Sequence, residues 1–230
     1  MVKILLNSNM VNKYIDKTIE FIANYGYKLK EDQFLKESAI FLTELLGVNY
    51  ILCAKYSINE PTIAKIECFY SKKENKFFPK KAYNLDNTPC KNVINKRICS
   101  YSSNTKNLFP KDALLIDLNI ESYIGIPLWS SKKEPIGLIA VMDNKPIVDV
   151  ETVEKIVQIL GIKIENILEN IIFNDEIAIK NIDIEVSHKN FEKLSNLTFE
   201  GILIHKEGIA IDVNLSFAEM FGYKKEELIG

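Results

Sequence analysis

Two apolar runs, Ser122–Trp129 and Ile136–Met142, are separated by the short charged segment Ser130–Glu134. Runs rich in β-branched, aliphatic and aromatic residues on either side of a polar turn predict an antiparallel hairpin. The residues upstream fit around it. Tyr14, Ile15, Ile19, Phe21, Ile22 and Tyr25 have helical spacing over Asn12–Tyr25, and Gly26 fits the stop. Phe34, Leu35, Ile40, Phe41, Leu42, Leu45 and Leu46 give a second helix, Glu31–Leu46, a broad apolar face, with Gly47 just past its end. Val48–Tyr56 reads as a strand, Asn59-Glu60-Pro61 as a turn and Thr62–Tyr70 as the returning strand. Strict alternation in that strand puts Ile63, Lys65, Glu67 and Phe69 on one side and Ala64, Ile66 and Cys68 on the other. Lys72–Lys81 follows as an exposed basic loop, and Tyr83-Asn84-Leu85 as another short strand. Thr88 is placed to cap a short helix, Cys90–Asn95, with Pro89 in its first turn. Ile98–Ser102 reads as a strand leading into the Phe109-Pro110 loop, and Ala113–Leu118 as helical. Helices before and after a mainly antiparallel sheet predict an α+β fold.

From Asp149 the pattern changes. Val153, Ile156, Leu160, Ile164, Ile167 and Ile171 recur at steps of three and four, the seam of a long connector helix. Two destinations are open for that seam: its own sheet, or a second copy of the chain. The second reading gains beyond Ile167 and predicts a homodimer through Glu151–Glu169, with help from Asn12–Tyr25.

The segment Thr88-Pro89-Cys90, Phe109-Pro110-Lys111-Asp112, Ser122-Tyr123-Ile124-Gly125-Ile126-Pro127-Leu128, Gly137, Val141 and Pro146 resembles the second half of a GAF domain, the small-molecule sensory fold of signalling proteins. The likeness extends from about Phe34 to about Asn170. The last forty residues resemble the opening of a PAS domain. There Phe199-Glu200-Gly201-Ile202 begins a first strand, Glu207-Gly208 makes the turn, Ile209–Val213 is the second strand, and Asn214 opens a helix carrying Phe217 and Phe221. The segment is shorter than a whole PAS domain, which implies a longer protein. The expected organisation is an N-terminal helical segment over 1–30, a GAF-like domain over 31–150, a connector helix and linker over 151–190, and a truncated PAS-like segment over 191–230.

Composition excludes several classes. The 230 residues are 47% hydrophobic and 26% charged, with a formal net charge of −2. That balance gives no electrostatic footprint for nucleic acid. No apolar run approaches the ~20 residues needed to cross a bilayer, and the N-terminus lacks a signal-peptide core, so a cytoplasmic setting without membrane is expected. The four cysteines, Cys53, Cys68, Cys90 and Cys99, make no paired or zinc spacing. The two histidines, His188 and His205, fall outside Phe34–Asn170. A nucleophile–histidine system or a haem-binding histidine is therefore unsupported there. Cys90-Lys91 and Cys99-Ser100 do not match the Cys-His of bilin-binding relatives. Asn75-Lys76-Phe77 carries only the start of the cyclic-nucleotide signature, and no phosphate-binding glycine loop occurs.

What the resemblance implies is a regulatory input module. It binds an unidentified small molecule, with no cofactor assigned, and passes its state through a dimeric helix to a PAS segment and a downstream histidine kinase or diguanylate cyclase. The expected ligand residues are Tyr83, Cys90, Cys99, Tyr101, Phe109, Asp112 and Tyr123, with no catalytic or metal-binding set. For each of these, core packing or turn formation competes; Asp112 in particular is placed to cap the next helix. Two alternatives stand beside this reading: a GAF-fold thiol enzyme of the free-methionine sulfoxide reductase type, and a dimerisation-only domain without ligand.

Overall fold

A computed structural model of the chain describes residues 2–57, 60, 62–94 and 98–230. Asn59 and Pro61 of the expected turn and Asn95 of the expected short helix lie outside those residues. The chain divides into two compact units, Met1–Ile171 and Ile172–Gly230.

The first unit is built on one antiparallel sheet. Its strands are β1 (Tyr50–Tyr56), β2 (Ile63–Ser71), β3 (Lys76–Phe77), β4 (Ala82–Asn84), β5 (Cys99–Tyr101), β6 (Ser122–Trp129) and β7 (Pro135–Asp143). The order is β3-β2-β1-β7-β6-β5, with β4 also on β2, and every ladder is antiparallel. The β6–β7 hairpin is the expected one. It carries buried residues on both faces, because covering layers lie on each side.

One face meets the long helices α1 (Val2–Tyr25), α2 (Glu31–Leu46) and the start of α6 (Val150–Leu197). Phe21 stacks on Phe41 with ring centroids 4.3 Å apart. Gly47 ends α2 in the left-handed conformation expected of it, at φ 70°. Gly137 lets α6 approach the sheet: a Cβ there would lie 2.3 Å from the Ala54 carbonyl and 2.8 Å from Leu168. The opposite face meets α3 (Pro89–Ile94), α5 (Ala113–Asp117) and their loops, with α4 (Thr105–Leu108) between β5 and α5.

Four expectations are corrected. First, the alternation along β2 breaks. Cys53 pairs Cys68 and Ala54 pairs Ile66, so Glu67 is the extra residue of a β-bulge. The parity therefore switches: Ala64, Ile66 and Phe69 face α3 and α5, while Cys68 and Tyr70 face the long helices. Glu67 is buried and ion-paired to Lys55 and Lys80, each at 3.2 Å. Second, Lys72–Lys81 is exposed over much of its length but is not a free loop. It contains β3, its Phe78 stacks on Phe69 at 4.5 Å, and Lys80 reaches Asp32 at 2.8 Å. Third, α1 starts ten residues before the expected Asn12. Fourth, the α6 seam is committed to its own unit. Val153, Ile156, Leu160, Ile164 and Ile167 are all buried in the helix-facing core, so these residues are not available to a second copy.

The second unit contains the end of α6, a hairpin of β8 (Leu203–Lys206) and β9 (Ile209–Val213), α7 (Leu215–Phe221) and α8 (Lys225–Leu228). The turn falls where expected, with Glu207 at φ 54° and Gly208 at φ 87°. Two successive residues at positive φ give the turn a twist that matches a hairpin. The first strand begins at Leu203, not at Phe199. Asn214 caps α7, accepting from Phe217 N at 2.9 Å and from Ile202 N at 2.8 Å.

Candidate functional site

The second face of the sheet encloses a cavity of about 320 Å³ in the first unit. Leu52, Ile66, Ala140 and Met142 of β1, β2 and β7 form its apolar floor. Alternation explains this floor: each belongs to the strand parity that points away from the long helices, and the bulge at Glu67 keeps Phe69 on that side with Ile66. Pro89 and Cys90 of α3, and Ala113, Leu114 and Leu115 of α5, form the wall. Lys81, Asn84, Asp86 and Lys111 supply polar groups from the connecting segments.

One glycine-dependent detail places the aromatic wall. Tyr123 is fully buried, and its hydroxyl lies 3.2 Å from Cys90 Sγ. Gly125, two residues on in β6, makes room for it: a Cβ there would lie 2.5 Å from the Tyr123 hydroxyl and 2.5 Å from Val93. The Tyr83 hydroxyl is also buried close to Cys90, without a hydrogen bond of ordinary geometry. Burial raises the pKa of both phenols and of the Cys90 thiol. For Cys90, the hydrogen bonding around the sulfur only partly offsets desolvation. The group is therefore held as a neutral thiol, the opposite of what a nucleophilic cysteine needs.

Asp112 performs the capping role. Its carboxylate accepts from Leu114 N at 3.1 Å and Leu115 N at 3.4 Å at the start of α5. Burial raises its pKa, opposed by those two backbone donors. The Thr88 hydroxyl donates to the Leu85 carbonyl at 2.7 Å.

Of the seven expected ligand residues, Tyr83, Cys90, Asp112 and Tyr123 line this cavity. Cys99, Tyr101 and Phe109 do not. They pack on the same apolar cluster nearer β5, where Tyr101 meets Phe109 edge-on at 5.2 Å and accepts from Asn92 at 2.8 Å. Their ring and thiol chemistry suited a pocket, but β5 lies at the sheet edge, two strands from the floor on β7. The floor residues Leu52, Ile66, Ala140 and Met142 were not anticipated as site residues. Their signal was the strand parity, which the unrecognised bulge obscured on β2.

A larger groove of about 520 Å³ lies on the helical side of this unit, between Ile15, Trp129, Ile159 and Ile162. It contains none of the expected site residues. Among the described residues no cluster of His, Cys, Asp or Glu could hold a metal ion, and no helix is long and apolar enough to cross a membrane.

No family model matches the chain. Its fold is nonetheless that of GAF domains. The GAF domain of an Acinetobacter phosphoenolpyruvate-protein phosphotransferase superposes with a TM-score of 0.55 at 11% identity, covering 74% of this chain and 98% of that one. Free methionine-R-sulfoxide reductase from Neisseria meningitidis gives 0.56 at 14% identity, over 69% and 90%. A bacteriophytochrome from R. palustris gives 0.52 at 10% identity, over 77% and 43%. In sequence, 53 residues are 38% identical to hybrid signal transduction histidine kinase E of Dictyostelium discoideum, a match that spans 23% of this chain and 3% of that kinase.

Proposed function

We propose that residues 31–150 are a GAF-like sensory domain whose ligand site is the cavity between the sheet and α3/α5. The observation that carries this reading is the cavity itself. About 320 Å³ with an apolar floor and a few placed polar groups falls within the range of small-molecule sites. In this reading α6 is the connector, 191–230 is the opening of a PAS-like segment, and the module regulates a cytoplasmic signalling output. The hairpin-then-helix order and the Asn214 cap support the PAS-like reading. The partial match to a histidine kinase favours a kinase among the outputs.

Regulation is favoured over catalysis by the state of Cys90. A buried, uncharged thiol against two phenols is a packing and recognition group. The thiol-enzyme alternative requires a reactive thiolate, and a thiol titration combined with a sulfoxide-reduction assay separates the two. Reactivity of Cys90 with reduction of free methionine sulfoxide would overturn the sensory reading.

The direct test is native mass spectrometry of freshly purified protein. A retained or added small molecule should appear as extra mass in the wild-type chain and disappear in Ala140→Phe, which fills the floor. Extra mass that persists unchanged in Ala140→Phe would place the ligand elsewhere.

A further inference from the structure

We infer that this cavity selects a small organic acid: an apolar body carrying a carboxylate, in preference to a neutral or cationic compound of the same shape. The inference rests on the cavity being a ligand site and adds the charge of what it takes.

The polar groups around the cavity are not equally available. Asp86 receives Lys91 in an ion pair. Asp112 commits one carboxylate oxygen, Oδ1, to the first N–H groups of α5. A cationic ligand would find Asp86 already neutralised by Lys91 and one oxygen of Asp112 already committed. Lys81 and Lys111 also line the cavity, and among the described residues neither ammonium group has a carboxylate or hydrogen-bond partner. Tyr83 adds a buried hydroxyl, beside Cys90, to the same wall. The charge left unpaired in the lining is therefore positive on balance, two lysines against the Asp112 carboxylate, and an anion satisfies it. Leu52, Ile66, Ala140 and Met142 beneath it offer only apolar surface. A bare inorganic anion would leave that floor uncovered, so the ligand needs an apolar body as well.

Titration calorimetry of the full 230-residue chain tests this with matched probes. Phenylacetate, phenylacetamide and phenethylamine share one body and differ in charge; acetate carries the charge without the body. Phenylacetate is expected to bind about ten-fold or more tighter than each of the other three, as hydrogen bonds to charged groups and apolar burial together require. Lys81→Met with Lys111→Met should weaken phenylacetate about ten-fold and leave phenylacetamide unchanged. Equal or tighter binding of the amide or amine would overturn the inference while leaving the cavity as a ligand site. Equal binding of acetate would remove the apolar component and overturn it too. If none of the four binds at millimolar concentration, the acid inference falls; Ala140→Phe in native mass spectrometry then decides the cavity reading separately.

Discussion

Tyr123, Gly125 and Cys90 form the smallest unit on which the site depends. Replacing Gly125 by Ala puts a methyl against both the Tyr123 ring and Val93, with nowhere to move in a core sheet. A loss of about 1–3 kcal/mol is expected, as for overpacking elsewhere, measured as a shift in denaturant midpoint at unchanged slope. The buried thiols give a pH signature. Burial pushes Cys68 up to about 12 from an ordinary value of 9.0, and raises Cys53 and Cys90 as well. A group whose folded pKa is raised stabilises the fold fully below its unfolded pKa and loses that contribution as pH climbs toward the folded value. The melting temperature should therefore fall as pH rises from about 9 toward 12, and Cys68→Ala should flatten that fall. Native thiol labelling should reach the half-buried Cys99 first and Cys53, Cys68 and Cys90 only on unfolding. At this scale the sequence was informative about chemistry and not about position. Cys90, Asp112, Tyr83 and Tyr123 were recognisable as groups suited to a pocket. Cys99, Tyr101 and Phe109 carry the same chemistry, and only the strand order separates them from the cavity.

The elements show where local pattern runs out. The β6–β7 hairpin, α2 with Gly47, and the Glu207-Gly208 turn were legible, because turn residues and periodicity act over a few neighbours. The bulge at Glu67 was not, because it depends on the register between β1 and β2. The α6 seam was legible as a stripe, but a stripe does not say which surface covers it. Leu160 and Ile162 now separate the two destinations. Leu160 is fully buried against its own unit, whereas Ile162 is 64% exposed beside the groove with Ile15 and Trp129. Leu160→Glu should unfold the first unit by burying an unpaired carboxylate. Ile162→Glu should leave the circular dichroism and melting temperature nearly unchanged. If the chain pairs through this groove, sedimentation of Ile162→Glu shows a smaller species than wild type; an unchanged sedimentation coefficient excludes the groove as the dimer surface.

At the scale of the whole molecule, the two units should respond separately to damage. Asn214 holds the second unit through Ile202 N, Phe217 N and the carbonyls of Ser195 and Glu200. Asn214→Ala leaves those groups unpaired and should cost about 1–3 kcal/mol. Hydrogen exchange should accelerate in 199–230 and stay unchanged in β1, β6 and β7. The account centres on the cavity of the first unit, and methyl-resolved NMR addresses it most directly. With Ile, Leu, Ala and Met methyls labelled, a screen of small acidic, neutral and basic compounds should contain at least one that shifts Leu52, Ile66, Ala140 and Met142 together. Shifts confined to Ile15, Ile159 and Ile162, or no shifts with any compound of the screen, would contradict it.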